Sequence, residues 1–86
     1  MKDSERILKA LANKRRLAIV KYLRNRREAS VGEVAEAIHL SFGATSKHLI
    51  ILASADILEK EQRSLLMFYS LSTEIPKLAK EIVLMV

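Results

Sequence analysis

Apolar residues recur at helical spacing through most of the chain, and only two glycines and one proline interrupt it. The first apolar stretch predicts a helix over residues 4–12, and the second predicts a helix that begins after Asn13, a good N-cap residue type. Their apolar positions are Ile7, Leu8 and Leu11 in the first helix and Leu17, Val20 and Leu23 in the second.

Two further helices are predicted with only a short turn between them. Ser30 opens the sequence SVGE, a capping box in which the Glu33 carboxylate reaches back to the Ser30 amide. Ser41 offers a second N-cap, so a fourth helix is expected from about Phe42 to Ser54, followed by Asp56 in the left-handed conformation. A helix, a turn of three or four residues and another helix is the spacing of a helix-turn-helix.

The C-terminal third predicts a hairpin and a last helix. The segments ILEKEQ and LLMFYSL flank RS and show partial alternation, which predicts two strands. Ser72 or Thr73 is expected to cap a helix over residues 73–86, where Pro76 falls in the first turn. The predicted order is helix-helix-helix-helix-strand-strand-helix, mainly α with a small β-hairpin. Residues 1–86 are therefore predicted to form a single winged helix-turn-helix domain.

The fourth helix has two faces at 100° per residue. Thr45, Leu49 and Leu52 form a stripe expected to be core, and the opposite side would meet a partner. Short polar or basic groups near a helix amino terminus suit base edges in the major groove. The candidates for groove contact are Phe42, Gly43, Ser46, Lys47 and His48.

Each of these candidates has a competing interpretation. Ser46 and Lys47 would equally suit an ordinary solvated face, and His48 is better explained as a partly buried histidine whose neighbours satisfy it. Ile50 is apolar where a DNA-reading helix usually carries Lys or Arg, so it is either a chance exposed residue or a protein contact.

Charge is distributed unevenly. The net charge is +5, with ten Lys and Arg in residues 1–27 against two acidic residues, and five basic against eight acidic residues after that. This balance favours a polyanionic partner such as double-stranded DNA. Lys14, Arg15 and Arg16 occupy the first turn of a helix, where positive charge is unfavourable, which points to phosphate contacts. The candidates for phosphate contact are Lys14, Arg15, Arg16, Ser41, Lys60 and Arg63.

The chain lacks the residue types that several kinds of functional site require. The chain has no cysteine, which excludes disulfides, thiolate metal sites and thiol catalysis. No carboxylate pair beside a histidine and no glycine-rich phosphate loop is present, so neither an enzyme nor a cofactor is expected. The charged amino terminus and the lack of a long apolar run predict a cytoplasmic protein with no membrane partner.

The two ends of the chain carry more apolar side chains than one small core can cover, and IVLMV is apolar all round. Such a surface is most simply buried in a symmetric dimer formed by the helices at residues 4–12 and 73–86, although a frayed terminus is the alternative. The predicted dimer contacts are Ile7, Leu8, Leu11, Leu78, Ile82, Val83 and Met85.

Three segments, LKALANKRRLAIVKYL, SVGEVAEAIHLSFGATSKHLIIL and FYSLS, together resemble the ArsR-type winged-helix transcriptional repressors. The resemblance runs without gaps from about Ile7 to Ser72. It implies a homodimer on a palindromic operator, usually repressing it, with Ser46 and Lys47 at DNA-reading positions. Metal sensing is not expected, because the third helix has no thiol and the last helix has no histidine.

The leading hypothesis is thus a dimeric, sequence-specific DNA-binding transcriptional regulator, a repressor without a metal site. The sequence does not identify any small-molecule effector. The alternative is a winged-helix protein-interaction module with weak or no DNA binding, which Phe42, Ile50 and the weakly basic wing motivate.

Overall fold

The structure, a computed structural model, describes residues 2–86 as five helices and one three-stranded antiparallel sheet. The helices are α1 (Lys2–Leu11), α2 (Lys14–Arg24), α3 (Val31–Ile38), α4 (Phe42–Ser54) and α5 (Lys77–Met85). The strands are β1 (Ala29–Ser30), β2 (Leu58–Arg63) and β3 (Leu66–Leu71), in the order β1-β3-β2. The winged helix-turn-helix predicted from the sequence is confirmed, with one additional short strand.

The N-caps predicted for α2, α3 and α4 are all formed. The Asn13 side chain accepts hydrogen bonds from the amides two and three residues later, at 2.9 and 3.1 Å. Ser30 and Glu33 make the reciprocal capping box, at 3.2 and 2.8 Å. The Ser41 hydroxyl accepts from the amide three residues later at 3.2 Å. Each cap satisfies backbone donors that have no partner within the helix.

Residues with positive φ end α3 and α4. Asp56 has φ of 62°, as predicted, and His39 has φ of 57° at the end of α3. The conformation of His39 was not predicted, because the sequence offers neither Gly nor Asn there. The left-handed residue turns the chain so that α4 begins only three residues after α3 ends.

The core lies where α4 crosses α2 and α3. The predicted stripe Thr45, Leu49 and Leu52 is fully buried, with no exposed surface on any of the three. The stripe packs into one cluster with residues from α2, α3 and the segment before the hairpin. The largest fully buried hydrophobic side chains of that cluster are Ile19, Val20, Leu23, Val34, Leu49, Leu52 and Ile57.

The hairpin differs from the prediction by one residue at its turn. Arg63 pairs with Leu66, so Ser64 and Leu65 form the turn instead of Arg63 and Ser64. Ser64 takes a φ of 56°, the conformation that a glycine would usually supply in so tight a turn. Strand β1 adds to the free edge of β3, and its two residues are too few to give a sequence pattern.

The prediction for the start of the last helix was wrong. The helix α5 begins at Lys77, with Pro76 at the N-cap position, and neither Ser72 nor Thr73 caps it. Both residues donate instead to the Glu59 carboxylate on β2, at distances of 2.8 to 3.2 Å. These hydrogen bonds lower the pKa of Glu59. The charged acceptor on the hairpin therefore outcompetes a local cap.

Part of the predicted dimer surface is buried in the chain's own core. Ile7, Leu11 and Val83 are 3 to 5% exposed because α1 packs against α5. Leu78 and Ile82 are half-buried against the same core. The apolar side chains that remain exposed on α1 and α5 are Leu8 at 49%, Leu84 at 63% and Met85 at 80%. In addition, α1 begins at Lys2 and ends at Leu11, not at 4 and 12.

None of the helices in the described range is long and apolar enough to cross a membrane.

The hydroxyl of Thr45 leads to a prediction about stability. Within the described residues, Thr45 Oγ1 is buried and has no hydrogen-bond partner. A buried polar group without a partner is destabilising, so Thr45→Val should raise the free energy of unfolding by about 1 kcal/mol. Urea denaturation followed by circular dichroism measures this. Thr73→Val is the control, because the Thr73 hydroxyl is hydrogen bonded to Glu59, and that variant should be neutral or less stable.

Candidate nucleic-acid interface

The outward face of α4 begins at its first turn. Phe42 is 63% exposed, Lys47 is exposed and Ser46 is half-buried. At Gly43 a Cβ atom would meet nothing within 4 Å, so the packing of the chain does not require glycine there. Bare backbone at this point allows a ligand to come close to the helix. The helix contains no Asp or Glu, so its amino terminus presents unopposed positive potential.

His48 does not face outward with Ser46 and Lys47. Its Nδ1 atom lies 3.0 Å from a guanidinium nitrogen of Arg16. Because Arg16 only donates, Nδ1 accepts and the ring is neutral. Burial, together with the charges of Arg16 and Arg15, lowers the pKa of His48. The sequence interpretation of a partly buried histidine satisfied by its neighbours therefore describes it better than a groove contact.

Arg16, one of the predicted phosphate contacts, has several hydrogen-bond partners within the chain. Its Nε donates to the carbonyl of Ala10 at 2.5 Å, and a terminal nitrogen donates to the carbonyl of Lys9 at 3.3 Å. These carbonyls lie in the last turn of α1, where helical partners are lacking. Arg16 thus joins α1, α2 and α4, which explains a cation at an unfavourable helix amino terminus.

Lys14 and Arg15 remain available for phosphate contact. Lys14 is exposed and Arg15 is half-buried, and no ion pair involves either side chain in the part of the chain that the structure describes. Both lie beside the turn that leads into α4 through Ser41, which is exposed. Of the three predicted phosphate contacts at the start of α2, Lys14 and Arg15 are therefore the two whose side chains are not engaged in these interactions.

On the wing, the hairpin formed by β2 and β3, the predicted phosphate contact Arg63 has carboxylate partners within the chain. Arg63 makes two hydrogen bonds of 2.6 Å to the Glu28 carboxylate and one of 2.8 Å to Glu61, which raises its pKa. The same guanidinium lies over the Phe68 ring at 4.7 Å from its centroid. Arg63 therefore fastens the wing to the segment before β1. Lys60 is exposed and remains a candidate.

Two further arginines bond to helix carboxyl termini, which the sequence analysis missed. Arg6 on α1 donates to the carbonyl of Ser54 at the end of α4, at 2.9 Å. Arg24 on α2 donates to the carbonyls of Val83 and Val86, at 2.8 and 2.7 Å. These bonds have no local signal in the sequence, because the bonded residues lie 48, 59 and 62 positions apart.

An apolar groove separates α4 from the wing, and we call it the α4–wing groove. It has a volume of about 280 Å³. Leu65 at the wing tip is 94% exposed, Leu66 is 56% exposed and Ile50 is 49% exposed. Its lining residues on α4 and the wing are Phe42, Ser46, Ile50, Lys60, Leu65, Leu66, Met67 and Tyr69. The apolar character of Phe42, Ile50 and Leu65 was visible in the sequence, but their position around one groove was not.

Residues 2–86 contain no cluster of three or more His, Asp or Glu side chains arranged to hold a metal ion.

Comparison with known proteins places this geometry in a family. The family described as "Bacterial regulatory protein, arsR family" matches residues 13–60, which run from the N-cap of α2 to the start of the wing. The chain belongs to the ArsR family. The resemblance noted in the sequence is thereby confirmed.

Three relatives within or near the family are informative. The transcriptional activator HlyU of Vibrio cholerae is 39% identical over 67 residues, which are 78% of this chain and 61% of HlyU. A structure of reduced HlyU superposes with a TM-score of 0.81 at 33% identity, covering 98% of this chain and 84% of that one. In the sequence comparison, this ArsR-family chain covers less than two thirds of the length of HlyU.

The other two are solved structures. A homodimeric winged helix-turn-helix DNA-binding domain from Mycobacterium bovis, a possible ArsR-family regulator, has a TM-score of 0.84 at 28% identity, covering 98% of this chain and 75% of its own. The transcriptional repressor PagR of Bacillus anthracis has a TM-score of 0.81 at 26% identity, covering 99% of this chain and 94% of its own.

The different surroundings of Arg16 and Lys14 give a paired prediction. Arg16→Ala should lower the free energy of unfolding by about 1–3 kcal/mol, because it leaves helix carbonyls and His48 without their donor. Lys14→Ala should leave stability within about 0.5 kcal/mol, because that side chain has no partner within the described chain. Urea denaturation of the two variants measures both values, and equal effects would contradict the assignment.

Proposed function

We propose that this ArsR-family chain acts as a homodimer that binds a palindromic DNA operator and represses transcription from it. The observation that carries the proposal is the outward face of α4, where Ser46 and Lys47 lie near the positive amino terminus of a helix that contains no carboxylate. An α-helix of this kind fits the major groove of B-DNA, with its amino-terminal residues nearest the bases.

Among the predicted phosphate contacts, the cations without an ion pair in the described residues lie on two elements other than α4. Lys14 and Arg15 precede α4 at the start of α2, and Lys60 follows it on the wing. Cations in these positions would contact phosphates on either side of the groove that α4 enters. Because phosphate contacts release counterions, the affinity should fall steeply with salt concentration.

The homodimer is supported by the exposed apolar residues on α1 and α5. Leu8, Leu84 and Met85 are exposed by 49 to 80%, beside the half-buried Leu78 and Ile82. Contiguous apolar surface on adjacent helices favours a symmetric contact. The Mycobacterium bovis domain is itself described as homodimeric. A two-fold axis there would place two α4 helices about one DNA turn apart, roughly 34 Å.

The proposal also specifies that binding represses transcription and does not activate it. HlyU is named an activator and PagR a repressor, so the family alone leaves both signs in use. We infer repression because a dimer bound across a promoter excludes polymerase without needing any further contact. A reporter gene with the selected operator across its promoter tests this, and higher expression in the presence of the protein would overturn it.

The α4–wing groove favours a second candidate function, a protein-interaction module. Its exposed apolar residues would suit a partner protein if DNA did not bind. Selection of bound sequences from random DNA, together with the mass of the protein in solution, separates the two functions. A palindromic motif bound by a dimer supports the regulator, and no duplex binding at low salt supports the interaction module.

Lys47 provides the first test of the DNA contact. Lys47→Ala should weaken operator binding by about 3- to 10-fold at moderate salt and reduce the slope of log affinity against log salt by about 1. Fluorescence anisotropy with labelled operator measures both quantities. Lys80→Ala is the matched control, because Lys80 is also exposed but lies on α5. Equal affinities for Lys47→Ala and the unmodified protein would count against α4 as the reader.

The dimer contact is tested by introducing charge at the exposed end of α5. Leu84→Asp and Met85→Asp should each shift the protein from dimer to monomer at micromolar concentration, because a carboxylate would have to be buried without a partner. Analytical ultracentrifugation measures the change. Leu65→Asp is the control, since Leu65 is 94% exposed but lies on the wing. A dimer that survives both α5 variants would show that another surface forms it.

A further inference from the structure

The flank of α4 that faces the wing is apolar at both ends. Phe42, Ser46 and Ile50 are separated by four residues each, so they lie within about 80° of one another around the helix. Phe42 is 63% exposed and Ile50 is 49% exposed. All three line the α4–wing groove. They leave Ser46 as the one polar member of a stripe that runs two turns along the recognition helix.

The charge around the groove fits a polyanion. Its lining residues within the described chain include no carboxylate, and Lys60 is their one charged side chain. Lys47 lies on the next flank of the same helix, and α4 itself has no acidic residue. An apolar stripe lined by one cation and no carboxylate tolerates DNA, whereas an apolar protein contact is usually surrounded by a polar rim.

The major groove offers apolar side chains one specific partner. Each base pair presents donors and acceptors there, and only thymine adds an apolar group, its C5-methyl. Burying Phe42 or Ile50 against any other base edge would leave polar groups without partners. These side chains therefore gain from DNA only where methyl groups meet them.

We propose that Phe42 and Ile50 read thymine C5-methyl groups in each half of the operator, with Ser46 hydrogen bonding between them. This inference rests on the proposed DNA-binding function and deepens it, since it names the chemical feature that the helix selects. Specificity would then come from apolar contacts along one flank of α4, while Lys14, Arg15 and Lys60 would contact the phosphates of the DNA backbone.

Replacing thymine by deoxyuridine tests the inference directly. Uracil pairs with adenine through the same hydrogen bonds and lacks only the methyl group. Burying one such group stabilises by about 0.8 kcal/mol, so each contacted thymine that becomes uracil should weaken binding about fourfold. The operator obtained by selection is synthesised with one thymine replaced at a time, and anisotropy measures each affinity.

Combining alanine substitutions in α4 with thymine-to-uracil replacements in the operator shows which side chain contacts each methyl group. In Phe42→Ala the sensitive position nearest the amino terminus of α4 should lose its preference for thymine, falling from about fourfold to less than about 1.5-fold. Ile50→Ala should do the same at a second position. Both side chains are largely exposed, so neither truncation removes core packing. Circular dichroism confirms that the variants fold.

Ile51→Ala is the matched control. Ile51 is the next residue of the same helix and is 42% exposed. Like Ile50 it lines the groove beside Arg6 and Arg16, but unlike Ile50 it does not line the α4–wing groove. This variant should keep the full preference for thymine over uracil at every position.

The outcomes separate this inference from the function on which it rests. Specific DNA binding with no sensitive thymine would overturn methyl reading and leave the regulator intact. Equal loss in the unmodified protein and in both Phe42→Ala and Ile50→Ala would assign the effect to DNA shape and also overturn it. No duplex binding even at low salt would overturn both, and would leave the groove to a protein partner.

Discussion

Burial of one stripe of α4 determines what the rest of the chain presents to a partner. Thr45, Leu49 and Leu52 have no exposed surface, so α4 cannot rotate about its axis without leaving a void in the core. With the helix fixed in this way, Ser46 and Lys47 must face outward. The Arg6 bond to Ser54 and the Arg16 contact with His48 hold the same helix from the side of α1.

Several arginines of the chain make intramolecular hydrogen bonds, whereas most of its lysines are exposed to solvent. Arg6, Arg16 and Arg24 each donate to carbonyls in or just beyond the last turn of another helix, and Arg63 on the wing pairs with the carboxylates of Glu28 and Glu61. The planar guanidinium suits such fixed acceptors, whereas the flexible ammonium of lysine does not. Part of the strong positive charge of the first 27 residues therefore belongs to arginines that hydrogen bond one helix to another. What is left for a polyanion is mainly lysine.

The sequence predicted the parts of the fold that depend on neighbouring residues. The caps at Asn13, Ser30 and Ser41 and the buried stripe of α4 follow from spacings of two to four residues. The pairing of Arg16 with His48, 32 residues away, has no local signal. Likewise, Ser72 and Thr73 bond to Glu59, 13 and 14 residues away, instead of capping the last helix. For the candidate interface, residue types were therefore predictable, but which cations remained free was not.

Because the proposed phosphate contacts lie on elements other than α4, the proposed DNA binding would draw affinity and specificity from different sources. Phosphate contacts by Lys14, Arg15 and Lys60 would act on any sequence, since every nucleotide carries the same charge. The stripe from Phe42 to Ile50 carries no charge, so it adds little to binding at an arbitrary site. Its contribution would arise only where an apolar group faces it, so under this proposal the least polar part of the surface would discriminate between sequences.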